Sequence, residues 1–460
     1  MEWARLISAQ RWLPVPPGVR AEVLLADNQA GNRTEFERDY DRLVFSSPFR
    51  RLQNKTQVFP LPGSIFVHNR LTHTLEVASV GRSLGRMIGQ RVAETEPALP
   101  HSVEDFGDIV STACLAHDLG NPPFGHGGED AISKFFQERE SDFRNRYKLT
   151  VGEWADLAGF EGNANTFRIL THTFVGRRPG GYALTYATLA ATQKYPCESL
   201  GQAKGKGAHR KKYGVFQSEK EVLVAVFEAL GIPRQSERPL VYPRHPLVYL
   251  VEAADDICNL VIDLEDAHRT GLFGAKLVEE LLMACFEGEA VAEKRRINAN
   301  LNLISDPRER VGYLRARAIH RLTRHSAEVF WAHHTSILAG KFAPDIMDQL
   351  EPSLAQAVRA IQEISQSKIY NETGAVMVEL SGYRILSELL ELFSDAVLAE
   401  RTTRYQRKIL ELMPLQLKPG LGASPYKRLQ SVVDFVSGMT DVFAVDLYRR
   451  LFGIARPDVY

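Results

Sequence analysis

Cysteine is scarce in this chain. Only four occur in 460 residues: Cys114, Cys197, Cys258 and Cys285. They stand far apart and form no CxxC pair, which argues against a disulfide framework and against a thiolate zinc site. An excess of charge is also missing, because Lys+Arg and Asp+Glu both number 56. That balance disfavours nucleic-acid binding by bulk electrostatics, while leaving room for a local basic patch. No stretch approaches the roughly twenty uninterrupted apolar residues of a membrane span. The opening residues, MEWARLISAQRWLPVPPGVRAE, lack the basic-then-apolar order of a secretion signal. Alternating strand patterns are few. These absences predict a soluble cytoplasmic protein in a reducing compartment.

What is present is ordinary globular composition, 44% hydrophobic and 24% charged, enough to bury a sizeable core. Helical periodicity dominates. Thr72–Gly89 places Leu75, Val77, Val80, Leu84, Met87 and Ile88 on roughly one side. Asp105–Leu119 is apolar and runs into Gly120, Pro122 and Pro123, a stop signal. Pro246–His268 is apolar on nearly every face and reads as a central helix. Helical patterns continue over 275–295, 308–340, 350–368, 375–412 and 427–452. The expected fold is all-α, with at most a minor β-hairpin. Residues 1–48 read as an irregular arm because Pro14, Pro16 and Pro17 break early helix. Residues 49–270 read as the core with the site, and 271–460 as a helical region packed on it. The loop 201–214 is rich in Gly and Lys, and reads as a solvated segment or as an anion or nucleic-acid contact.

The most informative chemistry is His117-Asp118 at the end of an apolar helix. An unpaired carboxylate in that setting is costly, and a metal removes the cost. A helix C-terminus with a hydrogen-bonded Asp is the plainer alternative. Two further ligands are available: His73 near a helix start, and Asp255 inside the most apolar helix. Asp255, Asn259 and Asp263 stand at i, i+4 and i+8, so they form one polar stripe. Such a stripe repels itself unless a metal, or Arg and Lys from other helices, compensates. Two His with two Asp suit Mg²⁺, Mn²⁺, Fe²⁺, Co²⁺ or Ni²⁺ better than structural zinc.

His73, then His117-Asp118, then Asp255 is similar to the H…HD…D signature of HD-domain metal-dependent phosphohydrolases. The words RTEFERDYDRLVFSSPFRRLQNKTQVF, HNRLTHTLEVASVGRSL, ACLAHDLGNPPFGHGGEDAI, FEGNANTFRIL, YGVFQSEK, EAADDICNLVIDLEDA and GMTDVFAVDLYRRL resemble the bacterial deoxyguanosine triphosphate triphosphohydrolases. They run from about Arg33 to near the C-terminus. The resemblance implies a helical HD core and hydrolysis of deoxynucleoside triphosphates to deoxynucleoside plus inorganic triphosphate. It implies dGTP as the substrate and one divalent ion, Mg²⁺ or Mn²⁺, held by His73, His117, Asp118 and Asp255.

By the same resemblance His126 is the catalytic acid or base, with Glu129 as its acidic partner. Gln53 and Arg70 contact nucleoside and α-phosphate, and Asp263 faces the sugar. Asn259 departs from the Tyr of many relatives, which bears on sugar or base discrimination. A triphosphate carries roughly four negative charges and needs basic neighbours. Lys194, beside Tyr195, is the leading candidate, with Lys220 behind it, while Arg449 and Arg450 could serve a neighbouring subunit. The resemblance further implies a homo-oligomer, a hexamer in some relatives, and single-stranded DNA as an effector. Two other readings stand beside it: an HD-type phosphodiesterase or 5′-nucleotidase, and a non-catalytic nucleotide or single-stranded DNA sensor.

Overall fold

Three glycines at four-residue spacing, Gly81, Gly85 and Gly89, line one face of a long helix, Arg70–Thr95 (α2). That face lies against the helix Val103–Ala116 (α3). A Cβ on Gly85 would fall 2.5 Å from the Phe106 carbonyl oxygen, and one on Gly81 would fall 2.5 Å from Cys114 Sγ. The two backbones therefore approach more closely than side chains allow, and α2 and α3 pack along most of their length. This computed structural model describes residues 1–14, 33–59, 67–203 and 205–454. Pro16, Pro17 and Lys204 lie outside the described residues.

The expected all-α class is the observed one. The central helix is Val248–Arg269 (α5), buried along most of its length. It contacts α2, α3 and the long helix Pro307–Ala332 (α6). A short antiparallel pair, Ser236–Glu237 with Leu240–Val241, is the one sheet among the described residues. The four cysteines are buried and unbridged. No helix among the described residues is long and apolar enough to cross a membrane.

Several expected boundaries shift. The 1–48 segment is not irregular throughout: Glu35–Val44 (α1) is a helix started by a Thr34–Glu37 capping box, and it packs on α3. Leu75 is exposed rather than part of the apolar side of α2. The 275–295 pattern divides into Ala275–Ala284 and Val291–Leu301. The 375–412 pattern divides into Thr373–Leu398 (α7) and Arg404–Glu411. The last pattern divides into Pro425–Ser437 (α8) and Asp441–Leu451 (α9).

Apolar side chains gather into two clusters. The first joins α1, α2, α3, α5 and α6 with the segment up to Ile369. The second joins Gly125–Gln137 (α4) to α7, α8 and α9. The C-terminal helices therefore cover the segment that follows His117-Asp118, and the seam between the clusters opens a cavity.

One ion cluster ties the start of α2 to the end of α5. His68 Nδ1 lies 2.8 Å from Asp266 Oδ1, His68 Nε2 lies 3.3 Å from Glu76 Oε1, and His68 N–H donates to Asp266 Oδ2. Burial alone would lower the imidazole pKa, but the hydrogen bonds to Asp266 and Glu76 outweigh it and raise it to about 10. A folded-state pKa above the unfolded one adds stability that is complete below the unfolded value of about 6.5 and lost as pH rises through about 10. His68→Ala is thus expected to cost about 2 kcal/mol below pH 6.5, with the difference from wild type fading toward pH 10. Denaturant melts at a series of pH values measure this, and a pH-independent difference contradicts it.

Candidate active site

The cavity at the seam has a volume of about 620 Å³. Its floor is made where three helices meet. Asn69 caps α2 by accepting from Thr72 N–H while Thr72 Oγ1 accepts from Asn69 N–H. That start places Arg70 and His73 in the first turn, both buried. Helix α3 stops at Ala116, and the turn behind it presents His117 and Asp118. The Nδ1–H of His117 donates to the Cys114 carbonyl at 2.7 Å, which leaves Nε2 as a lone-pair donor toward the cavity. From α5, Asp255 Oδ1 lies 3.2 Å from His73 Nε2 and 3.5 Å from His117 Nε2.

One ligand atom from each of His73, His117 and Asp255 falls within 4.8 Å of the others. This donor set fits a divalent ion bound through two imidazole nitrogens and a carboxylate. Asp118 stands at its edge, with Oδ1 3.5 Å from His117 Nε2. Its oxygens accept from Arg70 Nη1 at 2.6 Å and Asn121 Nδ2 at 2.5 Å. Burial opposes ionisation of Asp118, but Arg70 and the two imidazoles outweigh it and hold its pKa down at about 2. Asp255 is likewise held ionised against its burial, chiefly by His117 and His73.

His126 and Glu129 line the same cavity from α4. Phe124 and Gly125, both at positive φ, turn the chain into α4. His126 Nδ1 lies 3.1 Å from Glu129 Oε2, and that hydrogen bond raises the pKa of the otherwise exposed imidazole. Glu129 in turn accepts from Gly162 N–H at 2.8 Å. Its carboxyl is held below its ordinary range despite burial, by the His126 bond and by Lys212.

Arg70, Lys194 and Lys212 supply positive charge around the cavity. Arg70 Nε is buried with no hydrogen-bond partner among the described residues. Lys194 pairs with Glu252 at 3.1 Å, and Tyr195 lines the cavity beside it. Lys212, part of the loop read as solvated or anion-binding, pairs with Glu161 at 3.0 Å. Lys220 is instead engaged by Glu198 at 2.7 Å and does not line the cavity.

The stripe on α5 faces the cavity rather than an Arg or Lys partner. Asn259 Nδ2 donates to Asp255 Oδ1 at 2.9 Å. Asp263 accepts from the Tyr370 hydroxyl at 2.8 Å, and burial raises its pKa to about 6. Gln53 is exposed and outside the cavity lining. Gln57, four residues further along the chain, lines it and donates to Asn259 Oδ1 at 3.3 Å. Sequence reasoning missed Gln57, Asn121, Tyr370 and Glu379, all of which line the cavity, as does Lys212 of the basic loop. Glu379 comes from a stretch that offered only helical periodicity, and Tyr370 falls between two such stretches.

Residues 70–157 match the HD domain, and residues 349–450 match a phosphohydrolase-associated domain. Together with the His/Asp cluster, these matches define an HD-domain phosphohydrolase. The chain is 39% identical to a deoxyguanosinetriphosphate triphosphohydrolase-like protein of Synechocystis, over 99% of this chain and all of that one. It is 37% identical to a protein of the same name from Pseudomonas aeruginosa, with the same coverage. It is 29% identical to the deoxyguanosinetriphosphate triphosphohydrolase of Yersinia pseudotuberculosis, over 90% of this chain and 93% of the relative. The chain belongs to the deoxyguanosinetriphosphate triphosphohydrolase-like family.

The cluster has a direct test. Calorimetric titration of wild-type protein with Mn²⁺ should give one site per chain. His117→Ala should weaken that site by more than about 100-fold, since removal of an outer-shell partner alone costs 10–100-fold. Undiminished binding by the variant would remove His117 from the ligand set.

Proposed function

We propose that the protein hydrolyses deoxynucleoside triphosphates to a 2′-deoxynucleoside and inorganic triphosphate, with dGTP among its substrates. In this reading His73, His117, Asp118 and Asp255 hold one divalent ion, Mg²⁺ or Mn²⁺. The observation that carries it is the convergence of His73, His117 and Asp255 within 4.8 Å, in the cavity that also holds His126 and Glu129. The relatives' names support dGTP as a substrate.

An ion held there would supply Lewis acidity for attack on a phosphate. The protein's own groups do the rest. Arg70, Lys194 and Lys212 offset phosphate charge and orient the chain of phosphates. Asp263 accepts from the sugar 3′-OH, and the Tyr370 ring beside it limits the room near the sugar. The hydrogen bond to Glu129 favours the protonated form of the His126 imidazole, the form that can deliver a proton to a departing oxygen. Water attacks the α-phosphorus and the bond from phosphorus to the 5′-oxygen breaks. That oxygen takes its proton from His126, and the proton of the water passes to solvent.

A homo-oligomer remains part of the reading. Met377 and Leu380 on α7, with Val442 and Phe443 on α9, are exposed apolar side chains suited to covering by another copy.

The reaction is tested by incubating the protein with each dNTP and NTP and either Mg²⁺ or Mn²⁺, then resolving the products. Intact triphosphate supports the proposal. Monophosphate with pyrophosphate, or phosphate from a monophosphate, moves the protein to the phosphodiesterase or nucleotidase reading. His126→Ala should retain Mn²⁺ and nucleotide but lower kcat by about 10²–10⁴-fold. Because Glu129 raises the His126 pKa, wild-type kcat should persist above pH 6.5 and fall as pH rises through that elevated value. Glu129→Gln should move this limb back toward 6.5. An unmoved limb would contradict His126 as the proton donor.

A further inference from the structure

Two backbone segments border the cavity, and a single carboxylate from a third part of the chain holds both. Asp441 is the first residue of α9 and is buried. Its Oδ1 accepts from Phe124 N–H at 3.0 Å, and its Oδ2 accepts from Thr56 N–H at 2.9 Å. Thr56 is bridged to Asn69, and Lys55 accepts from Arg70 N–H at 3.2 Å. One half of the carboxylate therefore holds the strand-like segment that backs the start of α2, which carries Arg70 and His73. The other half holds the turn that presents His126.

That turn needs holding. Phe124 has φ 64° and ψ 20°, a left-handed conformation rare outside glycine, and Gly125 follows at φ 60°. Two left-handed residues in succession set the direction in which α4 leaves, and so the place of His126. The C-terminal helices constrain the turn a second time. The Phe124 ring lies against Gly382 of α7, where a Cβ would fall 2.5 Å from the ring. Nearby, buried Lys55 donates through Nζ to the carbonyls of Asn121 and Ser437, joining the same loop to the end of α8. The GMTD word in the sequence thus has a structural role that no part of the reaction chemistry absorbs.

We propose that Asp441 is a positioning residue. Acting through the Phe124 N–H, it holds the first turn of α4, and with it His126, against a Glu129 that Gly162 N–H anchors separately, and at its distance from the His73–His117–Asp255 floor. Its catalytic consequence rests on the reading of His126 as the proton donor. The geometric part does not, because the His126–Glu129 contact reports on it without any turnover.

The test uses the full chain with histidine ring carbons labelled, and His126→Gln to assign the His126 resonance. Glu129 raises the His126 midpoint, while Lys212 and Arg70 lower it. A displaced turn that loses the Glu129 contact therefore titrates at lower pH. Asp441→Asn is isosteric, yet its amide cannot accept from both N–H groups at once. It should shift the His126 midpoint downward toward 6.5 and lower kcat by 10- to 100-fold. The nucleotide KM and Mn²⁺ affinity should stay within threefold of wild type. Gly382→Ala, on a different helix, should displace the Phe124 ring and shift the midpoint in the same direction. The double variant should lose less than the product of the single losses, because both act through one turn. A purely structural role for Asp441 predicts a lower Tm with the His126 midpoint unmoved in both variants, and that result would overturn the proposal. Failure of the wild-type protein to release triphosphate is a separate outcome. It removes the proposed reaction, while the midpoint shift still decides the role of Asp441.

Discussion

The convergence of the His73 and His117 imidazoles on the Asp255 carboxylate, with the buried Asp118 at their edge, is the constraint on which the rest of the molecule depends. A lone ionised carboxylate in a protein interior is strongly disfavoured. Asp118 is partly compensated by Arg70. Asp255 faces His73, His117 and the Asn259 amide. The two imidazole nitrogens and the Asp255 carboxylate form a donor set that fits a divalent ion. Three helices must then approach closely, α2 by its first turn, α3 by its last and α5 by its interior. The glycine face of α2, the Asn69 cap and the stop of α3 after Ala116 each serve that end.

The second requirement is that chemistry take place beside the cluster without depending on the same side chains. The fold meets it by placing the site at a seam. The cluster residues come from helices of the first apolar core, whereas the His126 turn and α4 pack into the second with α7, α8 and α9. The matched phosphohydrolase-associated region is therefore not an appendage to the HD domain. Its Tyr370 reaches Asp263, and its Asp441 reaches the backbone on both sides of the cavity.

Much of this was legible in the sequence, for identifiable reasons. An all-helical fold follows from 3.6-residue periodicity and scarce alternation. His117-Asp118 stood out because charge and imidazole ended an apolar helix, and the i, i+4, i+8 stripe on α5 marked a face too polar for a core. The structure brings His73, His117 and Asp255 together, with Asp118 at their edge. What stayed hidden depended on contacts distant in sequence. Gln53 and Gln57 lie four residues apart, and only the extended path of the chain after Asn54 brings Gln57 to Asn259. Lys212 sits in a loop whose composition reads as solvated or anion-binding, and only the fold lays it against Glu161 and Glu129. The helix at Glu35–Val44 was obscured by the prolines before it, although Thr34 and Glu37 carried its capping box. The glycine stripe of α2 gave no sign of its purpose until α3 was in place.

The central claim is that one divalent ion sits among four side chains separated by up to 182 residues. Anomalous diffraction from crystals equilibrated with Mn²⁺, collected on both sides of the manganese absorption edge, tests it most directly. The account predicts a single strong peak per chain bounded by His73, His117, Asp118 and Asp255, with Asp118 turned toward it and away from Arg70. A clean map at that position, or a peak held by other residues while Asp118 keeps its contact with Arg70, would contradict it.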